Sequence, residues 1–167
     1  MATPPVKKHM KKFVSCDPDK CVGCSVCEYA CAWEKEKVFN PLKSRIRAIR
    51  IGQVVNMAVT CRLCENPPCV AACPVNALEQ SEETGTILVD EDKCNGCGWC
   101  IEACDYGAIT LHPDKRKVIV CDTCKGDPKC VEWCPEDALD FVTTDIVAQK
   151  ARISAVKNLI REATATT

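Results

Sequence analysis

Apolar positions along this chain fall into short runs separated by turn residues. Residues 86–89 (TILV) read as a short strand. Residues 109–111 and 117–120 flank His112-Pro113-Asp114-Lys115, a turn sequence that predicts a hairpin. Residues 45–51 and 54–59 predict a second hairpin turning at Gly52. The stretch 145–163 differs. It lacks Cys, Gly and Pro, and Ile146, Val147, Ala151, Val156, Leu159 and Ile160 can share one face. That pattern predicts an amphipathic helix, which either covers the protein's own core or docks to a partner.

Composition changes this picture. Seventeen of the 167 residues are Cys, and only eight are aromatic. Without its cysteines the apolar complement is thin for a chain of this length, so disulfides or metal centres must supplement packing. Residues 1–12 form a polar, basic arm with no apolar leader and no twin arginine, and no apolar run approaches the ~18 residues of a membrane span. A cytoplasmic location is therefore expected. Disulfides are rare there, and an odd cysteine count fits them poorly. The formal charge of −1 gives no electrostatic footprint for nucleic acid. His9 and His112 are the only histidines, which excludes multi-histidine metal sites.

The cysteines sort into four quartets and one remainder. Cys21, Cys24, Cys27 and Cys31 are spaced C-x2-C-x2-C-x3-C, as are Cys94, Cys97, Cys100 and Cys104. Cys61, Cys64, Cys69 and Cys73 are spaced C-x2-C-x4-C-x3-C, and Cys121, Cys124, Cys130 and Cys134 C-x2-C-x5-C-x3-C. Pro74 and Pro135 follow the second and fourth quartets. A [4Fe–4S] cube needs one thiolate per iron from four directions. Three closely spaced cysteines wrap three corners, and the fourth points away toward a second cluster. Structural zinc instead pairs two knuckles across a longer gap, which the first and third quartets are too compact to provide. Quartets two and four taken alone leave zinc open.

Segment 17–31 matches segment 90–104 at nine positions, and segment 61–78 matches 121–139 with one insertion. The order A–B–A′–B′ gives two copies of an eight-cysteine unit. Short helices are expected to carry the last two cysteines of each quartet, with Pro74 and Pro135 at their ends. Gly23, Gly96 and Gly98 lie inside cysteine loops and let backbone N–H groups approach cluster sulfur. Trp33, Trp99 and Trp133, each within two residues of a quartet cysteine, read as core packing, with shielding of a cluster as the alternative. Cys16 reads as a small buried apolar residue or incidental thiol, with a replacement ligand as the alternative. Arg45, Arg47, Arg50 and the lysines at 7, 8, 11 and 12 would offset the negative field of thiolate-bound clusters or meet an acidic partner. No glycine-rich nucleotide loop or catalytic triad stands outside the quartets, so the chain is expected to be no enzyme by itself.

The motifs CVGCSVCEYAC and CRLCENPPCVAACP carry a resemblance to a known family. From about residue 13 to 142 the chain is similar to the four-cluster electron-transfer subunits of molybdenum and tungsten oxidoreductases, formate dehydrogenases, dimethyl sulfoxide reductases and hydrogenases. Its compactness resembles the small subunits of the aldehyde oxidoreductase or tungsten benzoyl-CoA reductase type. The resemblance implies an α+β fold of two pseudo-repeated bacterial-ferredoxin-like modules around four [4Fe–4S] clusters, plus the C-terminal helix. Residues 13–60 and 121–142 would form the first module and 61–120 the second. It implies that Cys21, Cys24, Cys27 and Cys134 hold cluster 1, and Cys121, Cys124, Cys130 and Cys31 cluster 2. Cys61, Cys64, Cys69 and Cys104 would hold cluster 3, and Cys94, Cys97, Cys100 and Cys73 cluster 4. Spacing alone equally permits tandem pairing of quartet one with two. The implied function is relay of single electrons in anaerobic metabolism, as a hetero-oligomer with a catalytic tungsten or molybdenum pterin subunit and a further electron-transfer protein. The alternative is a free-standing soluble polyferredoxin.

Overall fold

The computed structural model describes residues 11–52 and 55–165. Lys7, Lys8 and the rest of the arm up to residue 10 lie outside that range, as does Val54 of the expected hairpin.

The chain opens with strand β1 (Phe13–Cys16) and helix α1 (Val26–Glu36). A single 3-10 turn at Pro41–Lys43 is capped by the Asn40 side chain, which accepts the Leu42 N–H at 3.0 Å. Strands β2 (Arg47–Ile51) and β3 (Val55–Val59) follow. Helix α2 (Pro68–Ala71), strands β4 (Leu78–Gln80) and β5 (Ile87–Val89), helix α3 (Trp99–Glu102), and strands β6 (Ile109–Leu111) and β7 (Val118–Val120) form the middle of the chain. After a turn at Thr123–Gly126 come helix α4 (Lys129–Glu132), strand β8 (Leu139–Val142) and helix α5 (Thr144–Ala165).

The strands pair in four antiparallel ribbons: β1 with β8, β2 with β3, β4 with β5 and β6 with β7. The two expected hairpins are present with ends trimmed by a residue or two. The ribbon β1–β8 was not expected. It joins opposite ends of the chain, Phe13 opposite Val142 and Cys16 opposite Leu139, so no local turn signal announces it. Strand β4 was also missed, because its sequence Leu-Glu-Gln offers one apolar residue and no alternation to read.

Isolated two-stranded ribbons are marginal in water, so helices and shared cores must stabilise these. Val14, Ile46, Ala58 and Leu139 gather with Cys27, Cys31 and Cys130 in one core. Leu63, Leu78, Ile87, Ile109, Val118 and Val120 gather with Cys61, Cys69, Cys100 and Cys121 in another, which Phe13 also joins. Helix α1 packs on α4, and α2 on α3. Ion pairs tie α1 and the turn after it to the second half of the chain. Lys35 meets Asp122 at 2.8 Å, and Lys43 meets Asp114 at 2.7 Å.

Helices depart from expectation in three respects. Only α1 carries both its cysteines. Helices α2, α3 and α4 hold Cys69, Cys100 and Cys130 and stop before Cys73, Cys104 and Cys134, which sit in the following turn. The three tryptophans are not core residues: Trp33, Trp99 and Trp133 are 39%, 64% and 41% exposed, and Trp33 stacks on Phe39. Helix α5 covers the core through its first turn alone. Val147 packs there, while Ile153, Val156, Leu159 and Ile160 face solvent.

Candidate metal centres

Each quartet begins with the same backbone device. The residue before the second cysteine has positive φ in all four: Gly23 (66°), Leu63 (52°), Gly96 (69°) and Thr123 (55°). Left-handed geometry turns the intervening peptide so that the two cysteines face one side. Glycine adopts it freely, whereas Leu63 and Thr123 carry strain that must be held by their surroundings. Thr123, Cys124 and Lys125 are three left-handed residues in succession, followed by Gly126, and Asp122 steadies the run by accepting the Cys124 N–H at 3.3 Å.

A second device follows the last cysteine of three quartets. Asn76, Gly107 and Asp137, each three residues on, are left-handed, and the next residue, an alanine in every case, returns its N–H to the cysteine sulfur. Ala77 donates to Cys73 Sγ at 3.2 Å, Ala108 to Cys104 Sγ and Ala138 to Cys134 Sγ at 3.4 Å. In the first quartet Cys31 lies inside α1, and Arg45 supplies the equivalent N–H at 3.2 Å. Donation to sulfur stabilises the thiolate and shifts the potential of any centre bound to it. Sequence reasoning missed these donors. The recurring C-x3-A, with Asn, Gly or Asp before the alanine, is the signal that points to them.

The structure brings cysteines of different quartets together. Cys21, Cys24, Cys27 and Cys134 line one cavity. Cys61, Cys64, Cys69 and Cys104 line another, and Cys73, Cys94, Cys97 and Cys100 a third. Cys31, Cys121 and Cys124 surround Cys130 closely enough for their charges to act on it. No one of these cavities combines cysteines of quartets one and two, or of quartets three and four. Among the described residues, no three His, Cys, Asp or Glu side chains converge as ligands of one ion.

Electrostatics support the same use. Burial, reinforced by neighbouring charges, pushes the thiols of Cys27 and Cys121 up to about 12 and those of Cys61 and Cys100 to about 11, from an ordinary 9.0. Four such sulfurs become thiolates only when cations sit among them. Assembly therefore releases protons, and the liganded chain binds fewer protons than the metal-free one. Acid must then favour the metal-free form. Iron retention and the associated visible absorbance are expected to fall as pH is lowered; retention independent of pH would contradict thiolate ligation.

Charged side chains brace the loops. Arg50 donates to Gly23 O from Nε at 2.9 Å and from a second guanidinium nitrogen, and Gln80 Nε2 donates to Cys64 O at 2.9 Å. Arg62 lies over the Phe13 ring at 4.8 Å. Lys35 and Arg45 both reach Asp122, at 2.8 and 3.7 Å. Burial opposes ionisation of Asp122, but the Lys35 hydrogen bond and the two positive charges outweigh it and hold the carboxyl below its ordinary value.

Cys16 packs against the first core group without being fully buried, and it is not isolated from the quartets. It is half-buried at the end of β1, accepts the Ala58 N–H at 3.2 Å, and lies beside Cys21 and Cys134. Burial raises it to about 11.

Paired thiol sets, left-handed cysteine loops and N–H···S donors define an iron–sulfur protein of the ferredoxin type. The chain belongs to the 4Fe-4S dicluster domain family, whose pattern matches residues 53–144. It carries [4Fe–4S] centres. It is 46% identical over 129 residues, 75% of each chain, to the polyferredoxin-like subunit of an aliphatic sulfonate oxidoreductase from Pyrococcus furiosus. It is 32% identical over 158 residues to a polypeptide of the anaerobic dimethyl sulfoxide reductase from Escherichia coli K12, covering 80% of this chain and 74% of that one. Among solved structures it is similar to a polypeptide of the active site complex BamBC of benzoyl coenzyme A reductase with benzoyl-CoA, at 22% identity and TM-score 0.46, covering 90% of this chain and 96% of that one. Among the described residues no helix is long and apolar enough to cross a membrane.

Proposed function

We propose that this chain is an electron-transfer subunit that holds four [4Fe–4S] clusters in single file. Cys21, Cys24, Cys27 and Cys134 hold the first, and Cys31, Cys121, Cys124 and Cys130 the second. Cys61, Cys64, Cys69 and Cys104 hold the third, and Cys73, Cys94, Cys97 and Cys100 the fourth. Such clusters supply one-electron redox chemistry when bound. Two pseudo-repeated modules, residues 13–60 with 121–142 and residues 61–120, follow from that pairing; the apolar core also falls into two groups, with Phe13 and Cys121 of the first module joining the second.

The order of the sets carries the reading. Cys130 of the second set lies within electrostatic reach of Cys27 of the first, Cys121 of Cys61 in the third, and Cys100 of the fourth set of Cys69 in the third. The four sets thus run one, two, three, four. Cys24 and Cys97 are exposed, and they belong to the two end sets, while the middle sets have no exposed cysteine. The chain buries the centres of the file and opens its ends to partners.

The catalytic partner is a tungsten or molybdenum pterin large subunit of the aldehyde oxidoreductase or benzoyl-CoA reductase type. The oxidoreductase subunits among the relatives support a subunit role. Interrupting the file tests this. In the complex isolated from the native source, Cys104→Ala is expected to abolish substrate-driven reduction of the far end, while large-subunit turnover with a one-electron dye persists. Wild-type reduction of both ends in that variant, or a native protein that always isolates alone, would overturn the reading.

A further inference from the structure

The four cysteine sets differ in the charge placed beside them. The fourth cavity has no charged side chain in its wall. In the third, Arg62 is matched by Asp105. At the first, exposed Arg50 on the Gly23 carbonyl is matched by Glu136 in the cavity wall, and Arg47 is matched by the buried Glu28. Beside the second set the partly buried ion pairs leave one cation over, and Lys129 next to Cys130 is matched by Asp127 and Glu132. Lys35 and Arg45 flank the set with side chains 14% and 22% exposed, against one carboxylate, Asp122. Lys35 feels the charge of Cys124, Cys31 feels that of Arg45, and the Arg45 N–H donates to Cys31 Sγ.

Reduction adds one negative charge to a centre. A half-buried net positive charge beside it favours that state more than an exposed one would, because water screens it less. We infer that Lys35 and Arg45 make the second cluster the electron sink of the file, the first of the four to accept an electron, with Asp122 setting how far by cancelling one of the two cations. The inference rests on the ligand sets proposed above. Its consequence is functional: an electron resting in the protein sits at an interior position, one step from the first end and two from the other, and leaves only when drawn uphill.

Three substitutions in the full-length holoprotein test it, by potentiometric titration followed with electron paramagnetic resonance. Cys124→Ser changes the donor to one iron and so marks the signal of the second cluster. The first signal to appear on reduction is expected to be the one so marked. Lys35→Met keeps the aliphatic stem and removes the charge; the reduced fraction ratio of that signal at fixed potential is expected to fall about tenfold, equivalent to ~59 mV for one electron. Asp122→Asn keeps an acceptor for the Cys124 N–H and removes the opposing charge, and it is expected to move the same signal in the opposite direction. A merely structural role for the ion pair would move both variants the same way. Opposite shifts confined to one signal, with Lys35→Arg restoring the wild-type value, support the sink. If Cys124→Ser alters a signal that appears later, or if both charge variants leave the first signal in place, the inference is wrong. If Cys124→Ser alters no signal at all, the ligand set itself is wrong.

Discussion

Gly96→Ala is expected to cost the protein its fourth cluster and much of its thermal stability. Gly96 lies between Cys94 and Cys97 with φ of 69°. A Cβ built there would stand 2.0 Å from the carbonyl oxygen of Arg116 and 2.9 Å from its carbon. That neighbour is backbone, in a left-handed residue just before β7, and cannot swing aside as a side chain would. The left-handed penalty of roughly 1–2 kcal/mol and the overpacking penalty of roughly 1–3 kcal/mol add, so about 2–5 kcal/mol is expected, and the loop can relieve it only by parting the two cysteines. Gly52→Ala is the control. It also sits at positive φ, 62°, but it lies in the β2–β3 turn outside the cysteine cavities and a Cβ there meets nothing within 4 Å, so the backbone penalty acts alone. Thermal unfolding and iron content of the two variants side by side provide the measurement. Equal behaviour would mean that the close approach of the Cys94–Cys97 loop to Arg116 is not part of the native site.

Cys121→Ala has the other large expected effect. Cys121 is almost wholly buried, it belongs to the second set, and it faces Cys61 of the third. On the proposed ligand set its loss removes a ligand and leaves Cys31 and Cys130 as buried thiols and Cys124 as a half-buried one. Because cluster binding supplies folding free energy, the cost is expected to be on the order of several kcal/mol, with loss of about four irons per chain. Thermal unfolding should begin well below the wild-type transition. The file would also be cut in its interior, so the two ends should no longer equilibrate. Full iron content with an unchanged transition would remove Cys121 from the ligand set.

These effects show which parts of the protein were legible in its residues. The grouping of the cysteines into quartets was legible because thiolate is the usual ligand of such clusters and the spacing within each quartet is local. The ribbons β2–β3 and β6–β7 were legible because each is local, with its turn between its strands. The ribbon β1–β8 was not, since Phe13 and Val142 pair from opposite ends of the chain with no turn between them to signal it. Glycine in the loops at 23 and 96 announced left-handed backbone. Leu63 and Thr123 do the same work without announcing it, because their strain is met by neighbours that sequence cannot place. Trp33, Trp99 and Trp133 misled for a related reason. In an ordinary domain large aromatics are needed inside, whereas here cysteines and aliphatic side chains make up most of the interior and the tryptophans lie at the surface. The pattern of α5 predicted its helix correctly but could not say which face would be covered. Ile153, Val156, Leu159 and Ile160 are bare.

The most direct test of the account is a metal and sulfide count on anaerobically isolated protein, combined with exhaustive reductive titration. Four clusters predict about 16 irons and about 16 acid-labile sulfides per chain, four separable one-electron steps and no stoichiometric zinc. A folded protein with iron for only two clusters, or with zinc in place of iron, would contradict it.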